Sequence, residues 1–397
     1  MSLGRARKIR DLRILHIFND GYLGSIVLLL PFIASDFHLS FTQVGLLGSI
    51  VSISSIALAL PAGYIASRIG GIRALILAIL LYSAGYIGIG ILPSYALLIL
   101  MYLIAGVGFG IFHPISFSRI AKWADANVRG RELGAFSAVG DIGKSGFTVM
   151  ISLLIGAIGW RFASISYGFV AFILCVYFFT KYFLDNSPSK DGITQPKSKS
   201  IPNTSSFFQL FRNKRLVFAT LASMLDQFAS QPLVLFLPFL LLKRGVPKAY
   251  LGFFVVAFFI GNLVGKVVAG RISDKYKSTT ILVVAELVMA GLIISLALSY
   301  NLVSIIVIAI LLGIVTKGTV PVTLIMISKS VPDHTWYNKA YALNALISGI
   351  GFTAAPIILG RVSDSFGIES AFYVCAAVAT AVTIPALAYR YSKKAMS

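Results

Sequence analysis

Charge is what this sequence has least of. Only 12% of its 397 residues are Asp, Glu, Lys or Arg, about half the share of an ordinary soluble domain. That excludes both a cytosolic enzyme with a solvated surface and a disordered chain. Acid is scarcer still, with 14 Asp and Glu against 34 Lys and Arg and a formal net charge of +20. Cysteine is almost absent. Cys175 and Cys375 both lie inside apolar runs, so neither a disulfide scaffold nor a Cys-based metal site is expected. The chain carries no P-loop, no His–Cys metal cluster and no serine nucleophile elbow. Gly106-Val-Gly-Phe-Gly110 sits in the middle of an apolar run, where small residues serve close helix packing and not phosphate binding. The basic start, Met1 to Arg13, leads into a run too long for a signal peptide, and no small-residue cleavage site follows it.

What the sequence does have is hydrophobicity, at 57% of residues and a mean hydropathy of +0.88. Apolar runs long enough to cross a bilayer fall at 12–34, 41–67, 72–92, 95–118, 131–157 and 161–182, then at 214–242, 249–274, 278–298, 302–326, 335–361 and 368–390. Each must be helical, because backbone polar groups cannot go unpaired in lipid. The expected fold class is an all-α membrane protein with twelve transmembrane helices.

The basic residues orient the spans. Arg161, Lys243, Arg244, Lys248 and Arg361 fall on one side, and Lys144, Lys266 and Lys317 fall inside spans. The other 26 of the 34 fall on the side that holds both termini. Positive loops stay in the cytoplasm, so a multi-pass protein of a bacterial inner membrane with both termini cytoplasmic is expected. The excess charge therefore does not point to nucleic acid. Arg119, Lys122, Arg129 and Arg131 are read as cytoplasmic loop charges. The polar stretch over 184–213 reads as a cytoplasmic linker between an N-terminal six-helix lobe, 1–183, and a C-terminal one, 214–397.

The lobes repeat one another at a constant offset of 207. Pro31-Phe32 matches Pro238-Phe239, Gly45 matches Gly252, Gly63 matches Gly270, Pro114 matches Pro321, and Asn19-Asp20 aligns with Asp226-Gln227. Two parallel six-span halves are the plan of a secondary transporter working by alternating access, with its substrate site near the midplane.

Gly63-Tyr-Ile-Ala-Ser-Arg68-Ile-Gly70 recurs as Gly270-Arg-Ile-Ser-Asp274-Lys275 at the end of the second span of each half. This resembles the loop 2–3 signature of the major facilitator superfamily (MFS). The resemblance implies two pseudo-symmetric six-helix lobes and a cytoplasmic gate at Gly63, Arg68, Gly270, Asp274 and Lys275. The first copy has Ser67 where an acid is usual. Three further segments, His16-Ile-Phe-Asn19-Asp20, Leu39-Ser-Phe-Thr-Gln-Val-Gly45 and Phe112-His113-Pro114, together resemble the fosmidomycin-resistance branch, whose known members export drugs. Ile115 and Gly140-Asp141-Ile-Gly143-Lys144 depart from that branch and point to a different substrate.

Charges at bilayer depth cost roughly 2.5–3.5 kcal/mol each on insertion scales, so they should face a cavity or a partner. The acids are Asp20, Asp141, Asp226 and Glu286. Asp20, Asp141, Lys144 and His113 are assigned to proton coupling, because a shared carboxylate in a dry site suits proton loading; a fixed ion pair is the competing reading. Asp141 and Lys144, three residues apart, share a helix face. Asn19, Asp226, Gln227, Gln231 and Lys317 are assigned to substrate binding. In this superfamily the first and fourth spans of each half line the cavity, and Lys317 would meet an anion as a point charge. A salt bridge between Lys317 and Asp226 is the alternative. Glu286, on the usually peripheral ninth span, is expected to be structural.

The expected function is proton-coupled export of a small anionic or phosphonate-like compound. The alternative is transport of an organic anion, metabolite or siderophore, and a metal-ion carrier or a non-transporting receptor is weaker. No enzymatic constellation, metal site or cofactor is expected. The expected partners are a small-molecule substrate, protons and the lipid bilayer, around a monomer.

Overall fold

In a computed structural model the chain is helical throughout the residues described, which are 3–59, 61–125, 129–183, 210–273, 275–332 and 336–392. Twelve helical stretches are long and apolar enough to cross a membrane, from Arg7–Asp36 to Ile368–Tyr391. The 184–213 linker falls outside the described residues up to residue 209.

The helices of the first half are α1 (Leu3–Ser25), α2 (Leu30–Asp36), α3 (Phe41–Ala59), α4 (Pro61–Ile69), α5 (Gly71–Ile91), α6 (Tyr95–Trp123), α7 (Arg129–Ile158) and α8 (Trp160–Phe183). Those of the second half are α9 (Lys214–Ser230), α10 (Pro232–Lys243), α11 (Leu251–Ser273), α12 (Ser278–Leu298), α13 (Leu302–Ser328), α14 (Tyr337–Phe366), α15 (Ile368–Ala381) and α16 (Thr383–Tyr391). Spans one and seven are broken where the sequence supplies a reason. Pro31 sits in the first turn of α2 and Pro232 opens α10, positions where a missing N–H costs nothing.

Two compact units result. The first comprises Met1–Leu39, Leu46–Lys197 and Val246–Phe253, and the second comprises Ser40–Gly45, Ser198–Gly245 and Phe254–Ser397. The two short exchanged segments are held by specific bonds. In the second unit, the N–H groups of Phe41 and Thr42 donate to the Asp364 carboxylate at 2.6 and 3.0 Å, and the Thr42 hydroxyl donates to it at 2.5 Å. Asp364 thus supplies a negative charge at the N-terminus of α3, where orphan N–H groups need an acceptor. In the first unit, the Ser152 hydroxyl accepts the Gly252 N–H at 2.9 Å and lies 3.0 Å from the Ala249 carbonyl.

The repeat now has a physical reason at one pair. A Cβ on Gly45 would strike the Pro356 carbonyl, and a Cβ on Gly252 would strike the Thr148 carbonyl. The matched glycines let a helix cross a backbone where no side chain fits. Asp364→Ala should cost about 1 kcal/mol of stability and speed amide exchange at Phe41 and Thr42. Unchanged exchange would mean that the cap is not formed in solution.

The described residues of the expected 41–67 span, 41–59 and 61–67, are helical. Pro61–Ile69 is helical, and on it Gly63, Tyr64, Ser67 and Arg68 are exposed. Arg119 is corrected. It lies within α6 and is only 3% exposed, its guanidinium 5.5 Å from the centroid of the Trp123 ring. Gly71 makes that possible, since a Cβ there would meet the guanidinium.

Candidate functional site

The first unit places a buried carboxylate among basic groups from three helices. Asp20 on α1 is 3% exposed. Its Oδ1 receives Asn19 Nδ2 at 3.1 Å and lies 2.9 Å from His113 Nε2 of α6 and 3.3 Å from His16 Nε2, one turn earlier on α1. Its Oδ2 is 3.0 Å from Lys144 Nζ of α7. The expected pair of Lys144 with Asp141 is longer, at 3.8 Å. The ammonium therefore bridges two acids and favours the deeper one.

The proton positions in this cluster follow from hydrogen-bond chemistry. His16 Nδ1 lies 2.8 Å from the Phe136 carbonyl. A carbonyl only accepts, so Nδ1 carries the hydrogen. His16 Nε2 then presents a lone pair to Asp20, unless a proton lies on the ring or on the carboxyl group. Phe136 also stacks on the imidazole, with centroids 4.1 Å apart, which fixes the ring.

Glycine makes the crossing of α1 and α7 close enough for these contacts. A Cβ on Gly140 would run into the His16 ring and Asp20 Oδ2, and one on Gly143 would strike the Ile17 carbonyl. Gly140→Leu should therefore force the helices apart and cost about 1–3 kcal/mol, with loss of activity. Gly134→Ala, in open space, is the control. Equal thermal stability of the two variants would refute the close crossing.

The cluster is unevenly buried. The side chains of His113 and Lys144 are 34% and 28% exposed, against 5% for Asp20. Asn19 is fully buried and acts on Asp20, so here it does not offer itself to a substrate. His16, Asp20 and His113 also form a constellation able to hold a metal ion, their ligand atoms within 4.8 Å of one another. Lys144, 3.0 Å from the same carboxylate, already puts a positive charge where such an ion would sit. The residues fit a cation poorly.

In the second unit Asp226 is 1% exposed and accepts from the Thr319 hydroxyl at 3.0 Å. The charge of Lys317, half-buried on α13, reaches it. Gln231 Nε2 donates to Gln227 Oε1 at 2.8 Å. Arg68 Nε donates to the Tyr64 hydroxyl at 3.0 Å, Gly63 has nothing within 4 Å of a Cβ position, and Lys275 is exposed. Gly270 is helical but its surroundings, like Asp274, lie outside the described residues.

Three partners escaped the sequence reading. His16 stands four residues before Asp20, a same-face spacing that marks it as a neighbour. Asp364 ends Gly360-Arg361-Val362-Ser363-Asp364, a second copy of Gly270-Arg271-Ile272-Ser273-Asp274. Glu286, expected to be peripheral, is 0% exposed; no sequence signal distinguishes it, because its apolar run looks the same whichever face it turns inward.

Comparison with known proteins agrees with this architecture. The family model described as "Major Facilitator Superfamily" matches residues 14–247 and 216–396. The fosmidomycin resistance protein of Escherichia coli (strain K12) is 20% identical over 91% of this chain and 87% of its own length. The cis,cis-muconate transport protein of Acinetobacter baylyi is 24% identical, over 61% of this chain and 60% of its own length, so the chain spans about three fifths of that relative. Among solved structures, the nucleoside transporter NupG superposes with a TM-score of 0.80 at 16% identity, covering 97% of this chain and 99% of that one. At that identity the likeness is one of fold.

Proposed function

This chain belongs to the Major Facilitator Superfamily, and on that premise we propose that it is a secondary transporter of a small organic anion, driven by protons that load at Asp20. One observation carries the reading: a 3%-exposed carboxylate lies against Lys144 and His113, whose side chains are 28% and 34% exposed.

The energetics follow from competition. With Asp20 ionised, Lys144 and His113 are engaged by it at 3.0 and 2.9 Å. A proton on Asp20 cancels that attraction and frees both groups for an anionic ligand. Proton and anion therefore raise each other's affinity, a reciprocity that linkage requires. Buried close pairs carry coupling of about 1.5 kcal/mol and upward, so each ligand should tighten the other by about tenfold or more. Partners that load together travel together, which favours co-transport of the anion with a proton. Export in exchange for protons is the second reading, and the relation to the fosmidomycin resistance protein supports it. Muconate and fosmidomycin, the compounds in those relatives' names, are a dicarboxylate and a phosphonate. Both have the charge this site would select.

The test uses purified protein in liposomes holding a pH-sensitive dye. Addition of cis,cis-muconate or fosmidomycin should move protons in the direction of anion flux. Proton movement opposite to the anion would select the exchange reading. Anion flux without proton movement would overturn coupling, and zinc or manganese flux with no anion flux would restore the metal carrier.

A further inference from the structure

The first unit also carries a groove where α5, α6 and α8 meet, with a volume of about 490 Å³. Leu80, Ala84, Ile87 and Ile91 of α5 line it, with Met101 of α6 and Phe172 of α8. The α5 residues are three and four apart, so they share one face of that helix. Leu80, Ala84, Ile91 and Phe172 are exposed, so the groove opens outward. Ser83 also lines it, but its hydroxyl donates to the Gly168 carbonyl at 2.8 Å. The lining is left apolar.

Two features identify the occupant. The first is dimension. From Leu80 to Ile91 the groove follows α5 for about 16 Å. One leaflet of a bilayer's hydrocarbon core is about 15 Å deep, and α5 is one of the helices long and apolar enough to cross a bilayer. A volume of about 490 Å³ over about 16 Å leaves a cross-section of about 30 Å². A second helix, about 10 Å across, would need about 80 Å². A single acyl chain is the thinner apolar body that a membrane offers.

The second feature is a cation at one end. Arg161, in the first turn of α8, reaches α5 with its Nη1 3.4 Å from the Gly90 carbonyl. Gly90 stands between Gly88 and Ile91, which both line the groove. The guanidinium lies 4.4 Å from the centroid of the Trp160 ring and 5.3 Å from that of Phe37. The two rings hold the cation in place. Its charge is only loosely matched. Asp36 Oδ2 is 3.7 Å from Arg161 Nε and takes a shorter bond, 2.8 Å, from Trp160 Nε1. Both polar contacts of the guanidinium exceed the distance of about 2.9 Å typical of a hydrogen bond, and the side chain is 38% exposed. A tryptophan at the end of a span marks the level of the lipid headgroups.

We propose that this groove is a phospholipid site, with one acyl chain lying along α5 and the phosphate diester bonded to Arg161.

The two parts of the lipid act differently. Lipid tails are as apolar as leucine, so the groove by itself gains little by holding one chain in place of another. The phosphate supplies the selectivity. It offers the guanidinium two charge-assisted acceptors in fork geometry, which the long contacts to Gly90 and Asp36 do not. The arginine therefore decides that a lipid stays, and the groove decides where its chain runs.

The experiment is native mass spectrometry of the purified full-length protein, titrated with palmitoyl-oleoyl phosphatidylglycerol or with the diacylglycerol that has the same chains and no phosphate. The wild type should hold one phosphatidylglycerol about tenfold more tightly than the diacylglycerol. Ala84→Phe fills the groove and should weaken phosphatidylglycerol by about tenfold. Arg161→Gln should erase the preference for the phosphate, and Arg161→Lys should keep most of it. Val284→Phe, at an exposed position of the second unit, should bind as the wild type does. Phosphatidylglycerol should also raise the thermal unfolding midpoint of the wild type more than that of Ala84→Phe, because a ligand stabilises only the fold that binds it. Equal affinity of the wild type for the two lipids would overturn the proposal. So would unchanged binding in Ala84→Phe or in Arg161→Gln. A wild-type dimer that Ala84→Phe dissolves would also overturn it and assign the groove to a second copy of the chain. Should one variant fail to fold, the other and the two-lipid comparison in the wild type still decide. Binding is read without flux, so the result is independent of the proposed transport.

Discussion

Asp20→Asn in liposomes should lose gradient-driven anion accumulation by about 100-fold, near the upper end of ordinary coupling between two ligands. The amide has the shape of a protonated carboxyl group and cannot ionise. Lys144 and His113, 3.0 and 2.9 Å from the carboxylate in the wild type, are then permanently released. Anion binding should survive and lose its dependence on pH, and exchange of internal for external anion should persist. The fold should hold, because the amide keeps the shape of the carboxyl group and Asp141 still lies 3.8 Å from the ammonium. A variant that still accumulates anion against its gradient at the wild-type rate would remove Asp20 from the coupling.

Lys144→Gln is the second large effect, and it acts on stability as well as binding. Removing one partner of a buried ion pair leaves the other charge uncompensated, at a cost of about 3–5 kcal/mol. The 28% exposure of the lysine side chain places this case near the lower figure. Anion affinity should fall with it by about 100-fold, since the ammonium is the open-facing charge of the site. The double variant Asp20→Asn, Lys144→Gln should regain most of the lost stability, because neither charge is then stranded. Such a cycle isolates the pair. Equal stability of the single and double variants would show that the two residues do not interact. Thermal unfolding in detergent and anion binding by calorimetry measure both quantities.

Much of the fold was legible because lipid imposes a strict rule. Twelve apolar runs had to be helices, and the residues described form twelve helices long enough to span a membrane. The rule is blind to the ends and breaks of helices. Span four was read as ending at residue 118, whereas α6 runs on to Trp123. Of the candidate site, the types were legible and the partnerships only in part: an ion pair between the first and fifth spans was the competing reading, and Lys144 does lie 3.0 Å from Asp20. Asp20, His113 and Lys144 stood out as charges where charge is costly. Spacing along the chain suggested that Lys144 would pair with Asp141, three residues away, yet it reaches Asp20 more closely across a helix crossing. That crossing depends on Gly140 and Gly143, whose role is to be absent in volume. Arg119 was read as a loop charge because the length of α6 could not be seen, and Glu286 as peripheral because its burial could not.

The sequence by itself determined the solvent this protein lives in, its helical class, its twofold repeat and the short set of ionisable residues held in apolar surroundings. Those follow from composition and period, which are local properties that the bilayer reads residue by residue. Tertiary structure decided which of those residues meet. Asp20 with Lys144 and His113, Asp226 with Thr319, and Asp364 at the start of α3 are contacts between helices far apart in the chain. Each is set by how closely two helices cross and which faces they turn to one another, and neither is written in the hydropathy of either helix alone.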